Sequence, residues 1–507
     1  MTAPPAPAAA VEPPPRRALS LLLAAAAGWA ALAAAIAGWL GDGALDDFFI
    51  TYRYADNLAR GRGFVFNPGE RVFGTTAPGF GLLLAAAHRL SAVSISWLGA
   101  LSTGAALVAI AWLLLREGIR RGRAAEAALG GTLAVGCTWA WGCRGAEAPV
   151  ALALLLAAAT AAGRRPILAG ILAGAAVWVR PDAALGAGLL ALVLVAERSG
   201  RPPWRYAAAV AATVGAGLLA AWLAFGTVVP NTWEAKRLEV AWAPSAQGTA
   251  WDWWQPGAAL FPRHLGGGWA LLLALGLAGQ VLMLWRGGRA GRLLAAYGLA
   301  LALVYPFLGT PFAGWYVIPP ILAVLYGLAF LLGSLARLAL APALRGAALR
   351  GPALRAAAAA AAVGLAALTL PPYLATAWRW LAASGQPGIH FRGYRDAGLY
   401  LRARLPPEAR IAALEVGTLA YFADRPVDDL LGLVSPASLP YVARQDLAGA
   451  FFARPPEALV LRPGLDGFLG GLLDRRRFRR RYREVLRLDP DTAYWTAIYR
   501  RRPNAPP

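Results

Sequence analysis

Two adjacent acids, Asp46 and Asp47, follow the first long apolar run of the chain and lie in a polar segment over residues 41–80. A carboxylate can take a proton from a hydroxyl group that lies within hydrogen-bond distance. Residues 46–60 can form a helix on which Asp46 and Arg53 share one face. The alternative is that Asp46 only caps this helix and that Asp47 is a solvated neighbour.

The composition indicates which class of protein must position these acids. Hydrophobic residues make up 58% and charged residues 15% of the 507 residues, and the mean hydropathy is +0.50. Soluble domains of this size do not reach such values, so the sequence predicts a membrane protein. The net charge of +22 first suggests nucleic acid or anionic lipid. Nucleic acid is disfavoured, because the arginines lie in short clusters between apolar runs and no basic RNA-binding type of domain is visible.

Eleven apolar runs are predicted to span the membrane, and the first is an uncleaved helix. The arginine-rich connections between them all fall on one side if the amino terminus lies inside. The predicted units are a cytoplasmic tail over 1–17 and a membrane domain over 18–371, with large outer loops at 41–80 and 226–267. The runs lie near residues 18–40, 95–115, 125–142, 147–162, 166–179, 182–196, 206–225, 268–285, 293–308, 316–335 and 353–371.

The chain changes character after the last of these runs. Apolar runs at 410–414, 458–461 and 494–499 have the length of strands and are separated by helical stretches. Residues 372–507 are therefore predicted to form a small extracytoplasmic α/β domain. The predicted fold class is a mostly α, polytopic membrane protein with this domain at its carboxy terminus.

The segment from Leu45 to Val72, directly after the first predicted span, resembles the first outer loop of GT-C glycosyltransferases. It is most similar to the branch that contains the mycobacterial terminal arabinofuranosyltransferases. Protein O-mannosyltransferases and aminoarabinose lipid A transferases are more distant. Shorter segments at 145–149, 179–182, 229–236, 315–319, 415–417, 424–427 and 431–436 support the resemblance.

The resemblance implies an inverting transfer of a sugar from a polyprenyl-phosphate donor to a hydroxyl group of a glycan, lipid or protein acceptor. One aspartate early in the first outer loop would act as the base, and Asp46 is slightly favoured because it shares a face with Arg53. The location implied is the bacterial cytoplasmic membrane, with the reaction on its outer face. No redox cofactor is implied, and a divalent cation is used by some members of the family.

The same resemblance implies residues that bind the substrates. Arginine can bind a phosphate through two parallel hydrogen bonds, whereas lysine acts as a point charge. The alternative for each arginine is a side chain that reaches lipid headgroups. The candidates for the donor are Arg53, Arg71, Arg144, Arg180, Lys236, Glu70 and Tyr316, and the candidate for the acceptor is His264, for which a structural role is the alternative.

Two further functions remain open at this point. The chain could be a transporter or flippase for a lipid-linked sugar, or a non-catalytic subunit of cell-envelope assembly. Polar residues concentrated in the outer loops argue against a transport path at the bilayer midplane. The arginine run within residues 474–483 is interpreted as a solvated helix face, with contact to anionic lipid or to a negatively charged glycan as alternatives.

Overall fold

The computed structural model describes residues 16–197, 202–240, 249–340, 352–385, 389–492 and 495–503. Most of the predicted tail over 1–17 lies outside these residues. The described chain forms a helical membrane domain and a carboxy-terminal α/β domain. In chain order the helices of the membrane domain are α1 Arg16–Leu40, α2 Asp46–Ala59, α3 Pro78–Ser91, α4 Ile95–Arg120, α5 Ala124–Val135, α6 Thr138–Gly142, α7 Ala148–Ala161, α8 Pro166–Val179, α9 Ala183–Glu197, α10 Trp204–Phe225, α11 Asn231–Val240, α12 Ala250–Leu265, α13 Trp269–Arg286, α14 Arg289–Val304, α15 Ile318–Leu340 and α16 Pro352–Ala383.

Ten of the eleven predicted apolar runs each correspond to one α-helix, whereas the run at 125–142 is divided between α5 and α6. Among the described residues, seven helical segments are long and apolar enough to cross a membrane, namely α1, α4, α10, α13, α14 together with the 3-10 turn Tyr305–Phe307, α15 and α16. The other four, α5, α7, α8 and α9, have 12 to 15 residues. They are shorter than the roughly 20 residues that a span needs. Of the eleven predicted spans, seven therefore correspond to helices of spanning length among the described residues, and the other four correspond to shorter helices.

Helix α15 forms the centre of the membrane domain, since 83% of its most apolar stretch is buried inside the protein. It crosses α13 at Gly327 and Gly279, where a β-carbon at position 279 would lie 1.8 Å from the Gly327 carbonyl oxygen. Such small residues let two membrane helices approach closely. Helices α10 and α16 have only 11% of this stretch buried and present apolar surface outward, as expected for contact with lipid.

The carboxy-terminal domain contains a five-stranded sheet of β1 Ile411–Ala413, β2 Val427–Asp429, β3 Ala458–Leu461, β4 Tyr482–Leu488 and β5 Thr496–Arg501. The order of the strands in the sheet is β2-β1-β3-β5-β4. Strands β2, β1 and β3 are parallel, and β5 is antiparallel to β3 and to β4. This sheet confirms the predicted α/β character, whereas α16 continues through the predicted boundary at 371. The helices are α17 Ile389–Arg404, α18 Gly417–Ala423, α19 Leu439–Ala443, α20 Leu447–Ala453 and α21 Arg476–Arg481.

Polar contacts attach this domain to the loop over residues 41–80. The buried Asn67 side chain accepts a hydrogen bond from the Val427 N–H and donates one to the Val427 carbonyl oxygen, each at 3.0 Å. The Asn231 amide of α11 donates to the carbonyl oxygens of Gly432 and Leu433. Loop 41–80 and α11 therefore hold the domain at the β2 edge of its sheet.

Candidate functional site

Helix α2 places the two candidate acids in its first turn, where carboxylates interact favourably with the helix dipole. The N-cap residue is Leu45, and no side chain caps this end of the helix. Asp46 therefore does not cap α2, and that alternative is wrong. Aromatic residues of α2 that include Phe49, Tyr52 and Tyr54 are buried. The helix is therefore enclosed by protein, and this packing fixes its orientation.

Asp46 binds the carboxy-terminal domain. Its two carboxylate oxygens accept hydrogen bonds from the backbone N–H groups of Gly417 and Thr418, at 2.9 and 2.7 Å. Burial, followed by the neighbouring carboxylates of Glu415 and Asp47, raises the pKa of Asp46 to about 7 against the opposing effect of the two N–H groups. The first turn of α18 thus holds the Asp46 side chain in place.

Asp47 has a different environment. Its carboxylate is partly buried and has no hydrogen bond or ion pair within the described part of the chain. It lies close enough to Lys236, Glu239 and Tyr316 to influence the pKa of each. Asp47 is therefore the member of the acidic pair whose oxygens are available to a substrate.

Lys236 lies on α11, close enough to Asp47 for this carboxylate to influence its pKa. Its ammonium group forms an ion pair of 3.3 Å with Glu239, which lies three residues further along the same helix. Burial opposes its charge, but the carboxylates of Asp47 and Glu239 outweigh this effect and raise the pKa of Lys236 above its ordinary value. Lys236 is therefore a cation at neutral pH, and it lies beside the free carboxylate of Asp47.

Arg180 is fully engaged by neighbouring side chains. Its guanidinium donates hydrogen bonds to Glu147 at 2.5 Å, to Asp182 at 2.6 Å and to the Tyr305 hydroxyl at 2.7 Å. Tyr305 stacks on Tyr316, with a distance of 4.5 Å between the ring centroids. Arg180 therefore holds Tyr305 in its stack on Tyr316, and its guanidinium has few N–H groups left to donate to a phosphate.

Two more of the predicted arginines bind protein groups. Arg53 is buried and donates to Asp424 of the carboxy-terminal domain at 2.8 Å and to the Phe66 carbonyl oxygen at 3.2 Å. Arg144 donates to the carbonyl oxygens of Leu40 and Gly41, at the end of α1. Arg53 and Arg144 therefore hold structural elements together, and we do not assign them to the donor phosphate.

The remaining candidates lie apart from Asp47 or on the surface. Glu70 forms an ion pair of 3.1 Å with Arg410 of the carboxy-terminal domain. Arg71 is exposed and has no ion pair among the residues that the structure describes. His264 is buried against Trp139 and Trp380, and burial followed by the charge of Arg263 lowers its pKa to about 4.

His264 also lies within 3.2 Å of the Thr138 hydroxyl, so the structural role given as its alternative fits these contacts.

Several residues that build the site were not among the candidates. Glu147 and Asp182 belong to the supporting motifs at 145–149 and 179–182, so the motifs themselves could have indicated them. Glu415 binds Arg462 at 2.5 Å beside Asp46, and Asp424 binds Arg53. No local pattern distinguishes these two acids, since their partners are distant in the sequence.

The acidic side chains around Asp47 are the candidate ligands for a metal ion at this site. In the described ranges, no three His, Cys, Asp or Glu side chains are grouped so that they could hold a metal ion. Asp46, Glu239 and Glu415 each have a protein partner already. The residues present therefore do not fit a protein-built metal site, and we derive no step through a metal.

Comparisons with known proteins agree with this architecture. Residues 386–501 match the family model described as a domain of unknown function, DUF8728. No curated protein has a matching sequence. The crystal structure of ArnT from Cupriavidus metallidurans bound to undecaprenyl phosphate is similar to this chain, with a TM-score of 0.57, 13% sequence identity, and coverage of 96% of this chain and 99% of that chain.

A second similar structure is the archaeal oligosaccharyltransferase AglB from Archaeoglobus fulgidus, in complex with an inhibitory peptide and a dolichol-phosphate. Its TM-score is 0.53 at 13% identity, and the match covers 97% of this chain and 75% of that chain. Both proteins are GT-C superfamily members. The similarity extends over the membrane domain and the carboxy-terminal domain together, and the chain therefore has the GT-C fold.

Proposed function

We propose that this chain is an inverting glycosyltransferase that moves a sugar from a polyprenyl-phosphate donor to an acceptor hydroxyl group, at the outer face of the bacterial cytoplasmic membrane. The observation that carries the proposal is the free carboxylate of Asp47 beside the Lys236 ammonium, in the first outer loop of a GT-C fold. The similar ArnT structure holds undecaprenyl phosphate and the similar AglB structure holds a dolichol-phosphate, which supports a lipid phosphate as the leaving group.

Asp47 is the proposed base, in place of the slightly favoured Asp46. The Asp47 carboxylate accepts the proton of the acceptor hydroxyl as that oxygen forms its bond to the anomeric carbon. The bond between the anomeric carbon and the phosphate oxygen breaks on the opposite face, and its electron pair leaves with the polyprenyl phosphate. Asp46 positions Asp47, because both oxygens of Asp46 are bonded to the start of α18.

Lys236 is the proposed cation for the phosphate. The leaving phosphate gains negative charge in the transition state, and a preorganised cation stabilises this charge best in a site shielded from water. Lys236 is largely surrounded by protein, with a side-chain exposure of 28%. Tyr316, held by its stack on Tyr305, is the proposed aromatic contact to the donor. Arg71 is exposed and is the second candidate cation.

The decisive experiment measures release of polyprenyl phosphate by the full chain in nanodiscs, with a panel of radiolabelled polyprenyl-phosphate sugars that includes arabinofuranose, mannose and aminoarabinose. We expect turnover of one donor. Asp47→Asn should lower the rate of phosphate release about 10³-fold with an unchanged melting temperature. Asp46→Asn should lower the rate only in part and should also lower the melting temperature.

Glu234→Gln on the same helix as Lys236 is the matched control, since this exposed acid has no described partner at the site. Wild-type activity in Asp47→Asn would refute the base assignment. Transport of a lipid-linked sugar without release of the phosphate would support a flippase instead, and inactivity towards every donor together with binding to envelope proteins would support an assembly subunit.

A further inference from the structure

The end of the carboxy-terminal domain carries a dense group of positive charges that the proposed reaction does not use. Seven arginines occur within residues 475–483, on α21 and at the start of β4. Six of them are exposed. We name these six side chains the arginine cluster: Arg475, Arg476, Arg477, Arg479, Arg480 and Arg483.

Little in the surrounding protein neutralises the cluster. Asp474 pairs with Arg479, but both side chains are mostly exposed, so the pair is weak. Arg476, Arg480 and Arg483 have no hydrogen bond or ion pair from their side chains within the described ranges. Solvation alone accounts for an exposed arginine, but several close together repel one another and create a strong positive potential.

The strand pairing adds a further repulsion. Arg483 of β4 lies directly opposite Arg500 of β5, so two like charges share one face of the sheet. Like charges in this arrangement destabilise a sheet unless another group screens them.

The cluster lies at the opposite end and at the opposite edge of the sheet from two contacts with the membrane domain. Asp46 binds at Gly417, beyond the carboxyl end of β1, whereas the cluster lies at the end of the sheet where β4 begins and β5 finishes. Asn67 of the membrane domain binds β2, and β4 is the opposite edge. Four strand spacings separate these edges by roughly 19 Å. The cluster is therefore distant from both of these contacts with the membrane domain.

The chemistry of the surface indicates the kind of partner. Between residues 474 and 484 every exposed side chain is charged, while Phe478 and Tyr482 are buried beneath them. Protein partners are usually anchored by buried aromatic or apolar side chains, and this surface has none to offer. Repeated guanidinium groups instead match a polymer that presents a carboxylate or phosphate at every repeat.

We propose that the arginine cluster is a docking surface for an acidic polysaccharide, separate from the site around Asp47. Binding to this surface goes beyond the proposed transfer reaction and does not depend on it. It would keep a long anionic glycan beside the domain while leaving Asp47 accessible.

The test measures binding of fluorescein-labelled polygalacturonate to the full chain in zwitterionic nanodiscs, by anisotropy and without any donor lipid. The variant is the triple substitution Arg476→Gln, Arg480→Gln and Arg483→Gln. The control carries the same loss of charge on exposed residues of α17: Arg392→Gln, Arg395→Gln and Arg402→Gln. We expect salt-sensitive binding by the wild type and the control, and a loss of about tenfold or more in affinity in the variant.

Equal losses in the variant and the control would overturn the proposal, because they would show a general charge effect. Absence of polygalacturonate binding would also overturn it. Sedimentation with anionic phosphatidylglycerol vesicles is measured in parallel. Binding to the vesicles without binding to the polymer would identify a lipid headgroup surface and would reject the polysaccharide. Melting temperatures of all three proteins show whether each is folded.

Discussion

The α-carbon of Gly417 packs against the backbone carbonyl group of Asp46, so that a β-carbon at position 417 would lie only 1.9 Å from the Asp46 oxygen. The carboxy-terminal domain therefore touches the acidic pair through backbone as well as through the two hydrogen bonds to the Asp46 carboxylate. The position of Asp47 depends on this contact, because Asp47 is the next residue of the same helical turn.

Gly417→Ala should consequently impair the reaction from outside the membrane domain. The added methyl group must displace the first turn of α2, and a misplacement of about 1 Å can cost on the order of 10²-fold in rate. The measurement is the rate of polyprenyl phosphate release. Gly467→Ala is the control, because a β-carbon there meets no atom within 4 Å. Activity within a factor of about two of the wild type would show that α2 is positioned independently of α18.

Lys236 and Arg180 should respond differently to loss of charge. We expect Lys236→Gln to raise the KM for the donor about tenfold while the melting temperature stays near that of the wild type, since the lysine is proposed to bind the phosphate. Arg180→Gln should instead lower the melting temperature, because it leaves the acids Glu147 and Asp182 without their shared cation. An unchanged KM in Lys236→Gln would exclude it from the phosphate site.

Asp424 should contribute strongly to the attachment of the carboxy-terminal domain. It binds the buried Arg53 and also Arg60 and Arg62, which together hold the pKa of this carboxyl well below its usual range despite partial burial. Asp424→Asn leaves Arg53 buried without a counter-charge, which should cost about 3 kcal/mol of unfolding free energy. Thermal unfolding measures the change.

Asp474→Asn serves as the comparison for this prediction, because Asp474 is 80% exposed in its pair with Arg479. We expect no measurable change in its melting temperature. Equal stability of the two variants would mean that the ion pairs of Asp424 do not contribute to the attachment of the domain.

The raised pKa of Asp46 should make the stability of the protein depend on pH. This pKa of about 7 in the folded protein lies above the ordinary value of 3.8. The folded state therefore binds more protons than the unfolded state between about pH 4 and pH 7, and the contribution of Asp46 to stability decreases as the pH rises through this interval. Above about pH 7 the contribution no longer changes.

The difference in melting temperature between the wild type and Asp46→Asn isolates this effect, since other titrating groups are shared by both proteins. We expect the wild type to lose stability relative to the variant between pH 5 and pH 7.5. A constant difference across this range would show that Asp46 titrates near its ordinary value. Lys236→Gln provides the control, because Asp46 is intact in it.

The sequence alone determined the membrane class, the helical character of all eleven apolar runs and the sheet at the carboxy terminus. These features follow from local composition and from the period of the apolar residues, which each segment carries by itself. The helix that begins at Asp46 was also predictable, since its acids and its polar face are local. The number of full-length spans was not, because α5, α7, α8 and α9 end before the length that a span requires.

Only the tertiary structure decided which acid is free and which cations are occupied. Asp46 and Gly417 are 371 positions apart, as are Arg53 and Asp424, and no local pattern connects such pairs. Whether a side chain binds a ligand or another part of the protein depends on which partners the fold brings within about 3 Å of it. The sequence supplies the carboxylates and cations, and packing of the two domains determines that the Asp47 carboxylate remains available.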